Sequence, residues 1–227
     1  QASPSRVFFN DGTGAFSVGA QGIGIGSNDP FQIQTGDIDN DGDIDAIIAT
    51  GIGIQLWLND GAGIFDLSGT LADGKLACIG LADVNADAYP DLLIALVNEP
   101  DEMWVNDRSG GFASTGQTLG TASGYGYPVS GDIDGDGDID FAVGNSTEGI
   151  TIWLNQNNTG SLLDAGFRIE TGAYRAGIFD ADGDGDLDVV RDHRVLQVLQ
   201  AFGGAARHVH RVLAGLLGHR QRDGGVA

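Results

Sequence analysis

Asp132-Ile-Asp-Gly-Asp-Gly-Asp-Ile-Asp140 sets the reading of the whole chain, because its pattern returns at Asp37 to Asp45, Asp83 to Asp91 and Asp180 to Asp188. Written D-x-D-x-D-G-x-x-D, each copy places oxygen-bearing side chains at positions 1, 3, 5 and 9. The glycine at position 6 lets the backbone turn through positive φ. Carboxylates so close repel one another by roughly 4 kcal/mol per pair at 4 Å in an effective dielectric of about 20, so a compact loop requires a hard cation. Calcium suits the set. It accepts about 6–8 oxygen ligands at roughly 2.3–2.6 Å in flexible geometry, whereas magnesium holds to a strict octahedron and keeps its waters.

An EF-hand begins in the same way but needs a bidentate Glu at position 12, between two helices. Here position 12 is Ile48, Ile94, Val143 and Arg191, none of them a carboxylate. The loops run into β-type apolar stretches, Ala46-Ile-Ile-Ala-Thr50, Leu92-Leu-Ile-Ala-Leu-Val97 and Phe141-Ala-Val143. Each loop therefore joins strands.

Two further landmarks keep step with the acidic loops. An apolar-aromatic strand ends in Asn at Val7-Phe-Phe-Asn10, Leu56-Trp-Leu-Asn59, Met103-Trp-Val-Asn106 and Ile152-Trp-Leu-Asn155. A Gly-containing turn then closes on Phe, from Asp11 to Phe16, Asp60 to Phe65, Asp107 to Phe112 and, more loosely, Gln156 to Phe167. The loops start at 37, 83, 132 and 180, intervals of 46, 49 and 48 residues. A unit of four short strands at this period is the signature of a β-propeller blade, so the fold class is all-β with antiparallel four-stranded blades.

At Gly36-Asp-Ile-Asp-Asn-Asp-Gly-Asp-Ile-Asp45 and its copies, with the Leu56-Trp-Leu-Asn-Asp-Gly61 strand and turn, the chain resembles the FG-GAP/VCBS repeat family of integrin-alpha-like propellers. The resemblance spans residues 6 to 190. It implies calcium held in the loop between the first two strands of a blade, through side chains at positions 1, 3, 5 and 9 and a backbone carbonyl at 7. Carried over, the ligands are Asp37, Asp39, Asp41, Asp43 and Asp45, then Asp83, Asn85, Asp87, Tyr89 and Asp91. The third set is Asp132, Asp134, Asp136, Asp138 and Asp140, and the fourth Asp180, Asp182, Asp184, Asp186 and Asp188. The second loop departs from the pattern: Ala88 replaces the turn glycine, Asn85 removes a charge and Pro90 stiffens the exit. It is expected to be the weakest of up to four sites.

Blade boundaries follow from the period: a half blade at 6–30, blades at 31–75, 76–125 and 126–172, and a half blade at 173–190. Propellers close with about four to eight blades. The chain therefore reads as part of a ring whose remaining blades lie outside it, with a four-bladed ring closed by the two half units as the alternative. The opening Gln1-Ala-Ser-Pro4 lacks Met, as expected after removal of a leader or an upstream domain.

Residues 1–190 hold 30 acids and 5 bases, a net charge of −25, and 15 of those acids are loop ligands. Calcium thus accounts for much of the acidity, and the remainder excludes nucleic acid and anionic membranes as partners, which require clustered Lys and Arg. No apolar run is long enough to span a membrane. The lone Cys78 lies in an apolar stretch and reads as core. Residues 191–227 form a different kind of sequence, with six Arg, two Asp and all four His. A frameshifted or unrelated extension accounts for the switch; against it, Val209, Val212, Leu213, Leu216 and Leu217 fall on one stripe of an amphipathic basic helix.

Catalytic signatures are missing: no nucleophile elbow, phosphate loop or His-Glu-x-x-His occurs. Glu99, Asp101, Glu102, Glu148 and Glu170 are carboxylates without an assigned role, and read as solvated loop charges. Trp57, Trp104 and Trp153 read as blade-to-blade packing, with sugar stacking as the alternative; Tyr125 and Tyr127 read as turn packing or a ligand contact. The function expected is a non-catalytic, calcium-stapled binding or adhesion scaffold, extracellular as a secreted or surface-displayed protein, for a protein or glycan partner. The alternative is a propeller segment of a secreted carbohydrate-active lyase or hydrolase.

Overall fold

The runs that follow the acidic loops are rich in Ile, Leu, Val and Ala and free of proline, and each becomes a strand. The computed structural model describes residues 5–24, 32–75, 77–121, 124, 126–169 and 175–192. Among the described residues there are sixteen strands and no helix. The first complete sheet contains β3 (Gln32–Gly36), β4 (Asp45–Thr50), β5 (Gly53–Asn59) and β6 (Phe65–Leu71). The second contains β7 (Ala77–Ala82), β8 (Asp91–Leu96), β9 (Asp101–Asn106) and β10 (Phe112–Leu119). The third contains β11 (Gly126–Gly131), β12 (Asp140–Asn145), β13 (Gly149–Asn155) and β14 (Leu162–Ile169). Each is an antiparallel meander in chain order.

Two half sheets flank these blades. β1 (Ser5–Asn10) and β2 (Phe16–Ile23) match the outer half of a blade, and β15 (Arg175–Phe179) and β16 (Asp188–Asp192) match the inner half. The halves do not pair with one another, so the described strands form no closed ring. Register is the same throughout: Gly36 faces Asp45, Ala82 faces Asp91, Gly131 faces Asp140 and Phe179 faces Asp188. Every acidic loop is thus the hairpin loop between a blade's first two strands. The first two residues of the basic tail, Arg191 and Asp192, complete β16; the rest of the tail, with its stripe from Val209 to Leu217 and its histidines, lies outside the described residues, as do Tyr125 and Glu170.

First strands lie side by side, β3 against β7, β7 against β11 and β11 against β15. This places the second strands of the three complete sheets between neighbours, and β4, β8 and β12 are buried along their whole length. That is why they read as continuous apolar runs instead of alternating ones. Core side chains interleave across blades: Ile47, Ile54 and Leu56 meet Ile79, Leu92 and Ile94, while Leu93 and Met103 meet Phe141 and Trp153. Trp57 and Trp153 are buried, and each indole N–H donates two residues back along its strand, to Gln55 Oε1 at 3.2 Å and Thr151 Oγ1 at 3.0 Å. Both are packing residues. Cys78 is buried too, and burial pushes its thiol up to about 11.

Glutamine side chains stitch neighbouring sheets by acting as a short piece of strand. The Gln32 amide donates to Ile79 O at 2.7 Å and accepts from Ile79 N at 2.8 Å. Gln21 does the same with Phe65, and Gln117 with Leu162. Leu162 also corrects the sequence reading of the last turn. It pairs with Asn155 as Phe16, Phe65 and Phe112 pair with their Asn residues, so the turn closes on Leu162, and Phe167 is an exposed residue further along β14.

The backbones of β12 and β15 approach closely at Gly144. A Cβ added to Gly144 would lie 2.8 Å from the backbone of Arg175 and Ala176, which cannot yield without moving β15. Gly144→Ala is expected to destabilise by about 2 kcal/mol or more. Gly69→Ala meets only Leu56 Cδ1 at 4.0 Å and should change stability by under about 0.5 kcal/mol. Urea unfolding of both variants measures the difference.

Candidate metal centres

All four loops share one backbone, built by carboxylates that accept bonds from N–H groups ahead of them in the chain. The position 1 Asp accepts from the position 6 N–H: Gly42 to Asp37 at 3.0 Å, Ala88 to Asp83 at 2.8 Å, Gly137 to Asp132 and Gly185 to Asp180 both at 3.1 Å. The position 5 Asp accepts from position 7, as Asp43 N donates to Asp41 Oδ1 and Asp138 N to Asp136 Oδ1, both at 2.9 Å. These bonds wind the loop around its own oxygens. Positions 4 and 6 both lie at positive φ: Asn40 and Gly42, Ala86 and Ala88, Gly135 and Gly137, Gly183 and Gly185. The position 6 turn was legible from its glycine in three loops, and position 4 from Asn40, Gly135 and Gly183, residue types that favour positive φ; Ala86 and Ala88 do not announce theirs.

Position 9 fastens the loop to its blade. Asp45, Asp91 and Asp140 are buried, and one oxygen of each accepts from the position 2 N–H, at 2.7, 3.1 and 2.8 Å. The other accepts from the main chain of the Asn that ends the Trp strand: Asn59 at 2.8 Å, Asn106 at 2.8 Å and Asn155 at 2.7 Å. Burial pushes all three carboxyls upward, Asp91 to about 6, against the lowering pull of these donors. Asp188 accepts from Ala181 N at 2.9 Å and is exposed.

The Asn side chain explains a landmark whose purpose the sequence hid. Asn106 Nδ2 donates to Ile38 O of the preceding loop at 2.8 Å, and Asn155 Nδ2 donates to Val84 O at 2.7 Å. The first and second loops are thus each braced by the following blade. Asn106 Nδ2 also donates to Pro90 O of its own blade at 3.1 Å, and Asn59, preceded by a half blade without an acidic loop, makes the equivalent bond, to Ile44 O at 3.1 Å.

Oxygens of Asp37, Asp39 and Asp41 lie within 4.8 Å of one another, as do those of Asp132, Asp134 and Asp136, and those of Asp180, Asp182 and Asp188. Two ligands on opposite sides of one ion at roughly 2.4 Å are at most about 4.8 Å apart, so each trio could hold a single metal ion. The crowding is already felt. Asp182 is raised chiefly by the charge of Asp184, and Asp39 by burial and then by Asp41. Asp43 lies against Gly61, Asp138 Oδ2 accepts from Asn158 N at 2.9 Å, and Asp186 is exposed.

In the second loop no trio of carboxylates converges. Asp87 Oδ2 accepts from Arg108 Nε at 3.1 Å and Nη2 at 2.9 Å, and Tyr89 lies under the same guanidinium, 5.8 Å from its ring centre. Burial works to raise the Asp87 carboxyl, but the bonds from Tyr89 N and Arg108 hold it below its ordinary value.

The unassigned carboxylates are engaged elsewhere. Glu99 pairs with Lys75 at 2.7 Å, Glu102 accepts from the Trp104 indole at 2.9 Å, and Glu148 accepts from Thr121 Oγ1 and lies 3.9 Å from Arg168. Asp101 is half-buried, with Leu96 N donating to it at 3.2 Å. Burial pushes its carboxyl up to about 7, Leu96 N opposes the rise and Glu148 adds to it. Between an unfolded value near 4 and this value the folded chain binds the extra proton. The stabilisation is complete below about pH 4 and lost as pH rises through 7. Asp101→Asn, which keeps the acceptor oxygen, should raise stability by about 1–3 kcal/mol at pH 8 and change it little at pH 4. Parallel stability curves for the two proteins across that range would refute this.

A model of the FG-GAP-like repeat matches residues 37–94, 83–143 and 132–190, each match running from one acidic loop into the next. The chain matches no curated protein. The three matches together cover about two thirds of the sequence and coincide with the repeated sheets, hairpin loops and bracing Asn residues, and by that measure the chain belongs to the FG-GAP-like repeat family.

Proposed function

We propose that this chain is a calcium-stapled propeller scaffold, extracellular and non-catalytic, that presents its blades to a protein or glycan partner. The observation that carries the calcium reading is the recurrence of convergent carboxylate trios in the same hairpin loop, at Asp37 to Asp41, Asp132 to Asp136 and Asp180 to Asp188. Their oxygens are hard, flexible in arrangement and close enough to share one ion, which favours calcium over magnesium. Affinities of extracellular calcium modules, about 10⁻⁴–10⁻³ M, suit a permanently filled staple outside the cell. Family membership supports the scaffold role. The engagement of Glu99, Glu102 and Glu148 with neighbouring side chains favours structural over catalytic carboxylates.

In this reading the first, third and fourth loops bind calcium and the ion offsets their mutual repulsion. Calorimetric titration of the full chain should find three ions, and the melting temperature should be higher in millimolar calcium than in chelator. An ion at about 100 times its Kd stabilises by about 2.7 kcal/mol per site. Asp39→Asn, Asp134→Asn and Asp182→Asn together should remove binding. Identical melting in calcium and in chelator, with no heat of binding, would overturn the reading.

A further inference from the structure

The second loop differs from the others at several positions that meet in space. Asn85 stands where the others have Asp, Ala88 where they have Gly, and Tyr89 where they have Asp. In the turn that follows the Trp strand, Arg108 occupies the place of Gly12 and Gly61. Loop 1 carries five carboxylates from Asp37 to Asp45; loop 2 carries Asp83, Asp87 and Asp91. We infer that the Arg108 guanidinium is the resident cation of the second loop, closing it in place of calcium.

Geometry supports the exchange. Two guanidinium nitrogens converge on one oxygen of Asp87, whose other oxygen accepts from Tyr89 N at 2.9 Å. The position 5 carboxylate is therefore committed to a cation already. An incoming calcium ion would meet a neutral Asn85 on one side and a fixed positive charge on the other. The guanidinium also lies over the Tyr89 ring, where other loops carry Asp43, Asp138 or Asp186, and a ring face attracts a cation without adding a negative charge to the loop. The substitutions at 89 and 108 thus complement each other.

Backbone strain gathers at the same spot. Ala86, Ala88 and Arg108 have φ of 55, 71 and 60°, a region that side-chain-bearing residues enter only at a cost and that glycine enters freely. Such residues persist where the surroundings over-determine them. Here the shared hydrogen-bond ladder and the arginine do so. Arg108 is 62% exposed and Asp87 13%, so the guanidinium caps the loop from outside while the carboxylate stays inside.

The inference rests on the calcium reading for the other loops, and two measurements separate the failure of one from the failure of the other. In calorimetric titration of the full chain, Asp83→Asn should leave the number of bound ions unchanged, while Asp134→Asn lowers it by one. Loss of one ion on Asp83→Asn overturns the inference. In chelator, Arg108→Gln should lower the melting temperature by about 2 °C or more, and should have no further effect in an Asp87→Asn background. An unchanged melting temperature in Arg108→Gln overturns it equally. If the parent chain binds no calcium, the reading of the other loops falls, and the melting of Arg108→Gln in chelator still decides the role of Arg108.

Discussion

A buried carboxylate that accepts two main-chain bonds holds each blade to its loop. Asp45, Asp91 and Asp140 each join the start of the acidic hairpin to the end of the third strand. Burying a charge is expensive unless it is hydrogen-bonded, and two backbone donors meet that demand while fixing the distance between strands. With position 9 so engaged, oxygens of Asp37, Asp39 and Asp41, and of Asp132, Asp134 and Asp136, still lie within 4.8 Å of one another. The acidity that could receive an ion is thus a consequence of how the blade is tied together.

The repeat was legible because its spacing is nearly constant and its residues are chemically unusual. Four acidic nonapeptides, three Trp strands and a recurring Asn carry the blade, its strand order and the hairpin that holds the acidic loop. Other features depend on distance in space and left little trace. Nothing near Asn106 or Asn155 in sequence names their acceptors, Ile38 O and Val84 O, 68 and 71 residues away. The left-handed Ala86 is invisible to composition, since alanine favours no such geometry. One extra residue in the turn after Asn155 moved its closing contact to Leu162 and concealed it behind the search for Phe.

The second loop shows how a repeat can diverge without losing its backbone. Its hydrogen-bond ladder matches that of the first loop, with Asp87 N donating to Asp83 and Asn85, both at 3.1 Å, as Asp41 N donates to Asp37 and Asp39. What changed is the charge inside the ladder and the group that faces it across the turn. Because Arg108 in the turn bonds Asp87 and lies over Tyr89 in the loop, a change in one segment alters the electrostatics of the other.

The bracing by Asn runs one way along the chain. Ile38 O is met by Asn106 and Val84 O by Asn155, in each case from the blade that follows. Synthesis runs in the same direction, so the loops at 37–45 and 83–91 are made before the Asn residues that brace them, and a chain cut short of Asn106 or Asn155 leaves Ile38 O or Val84 O without that donor.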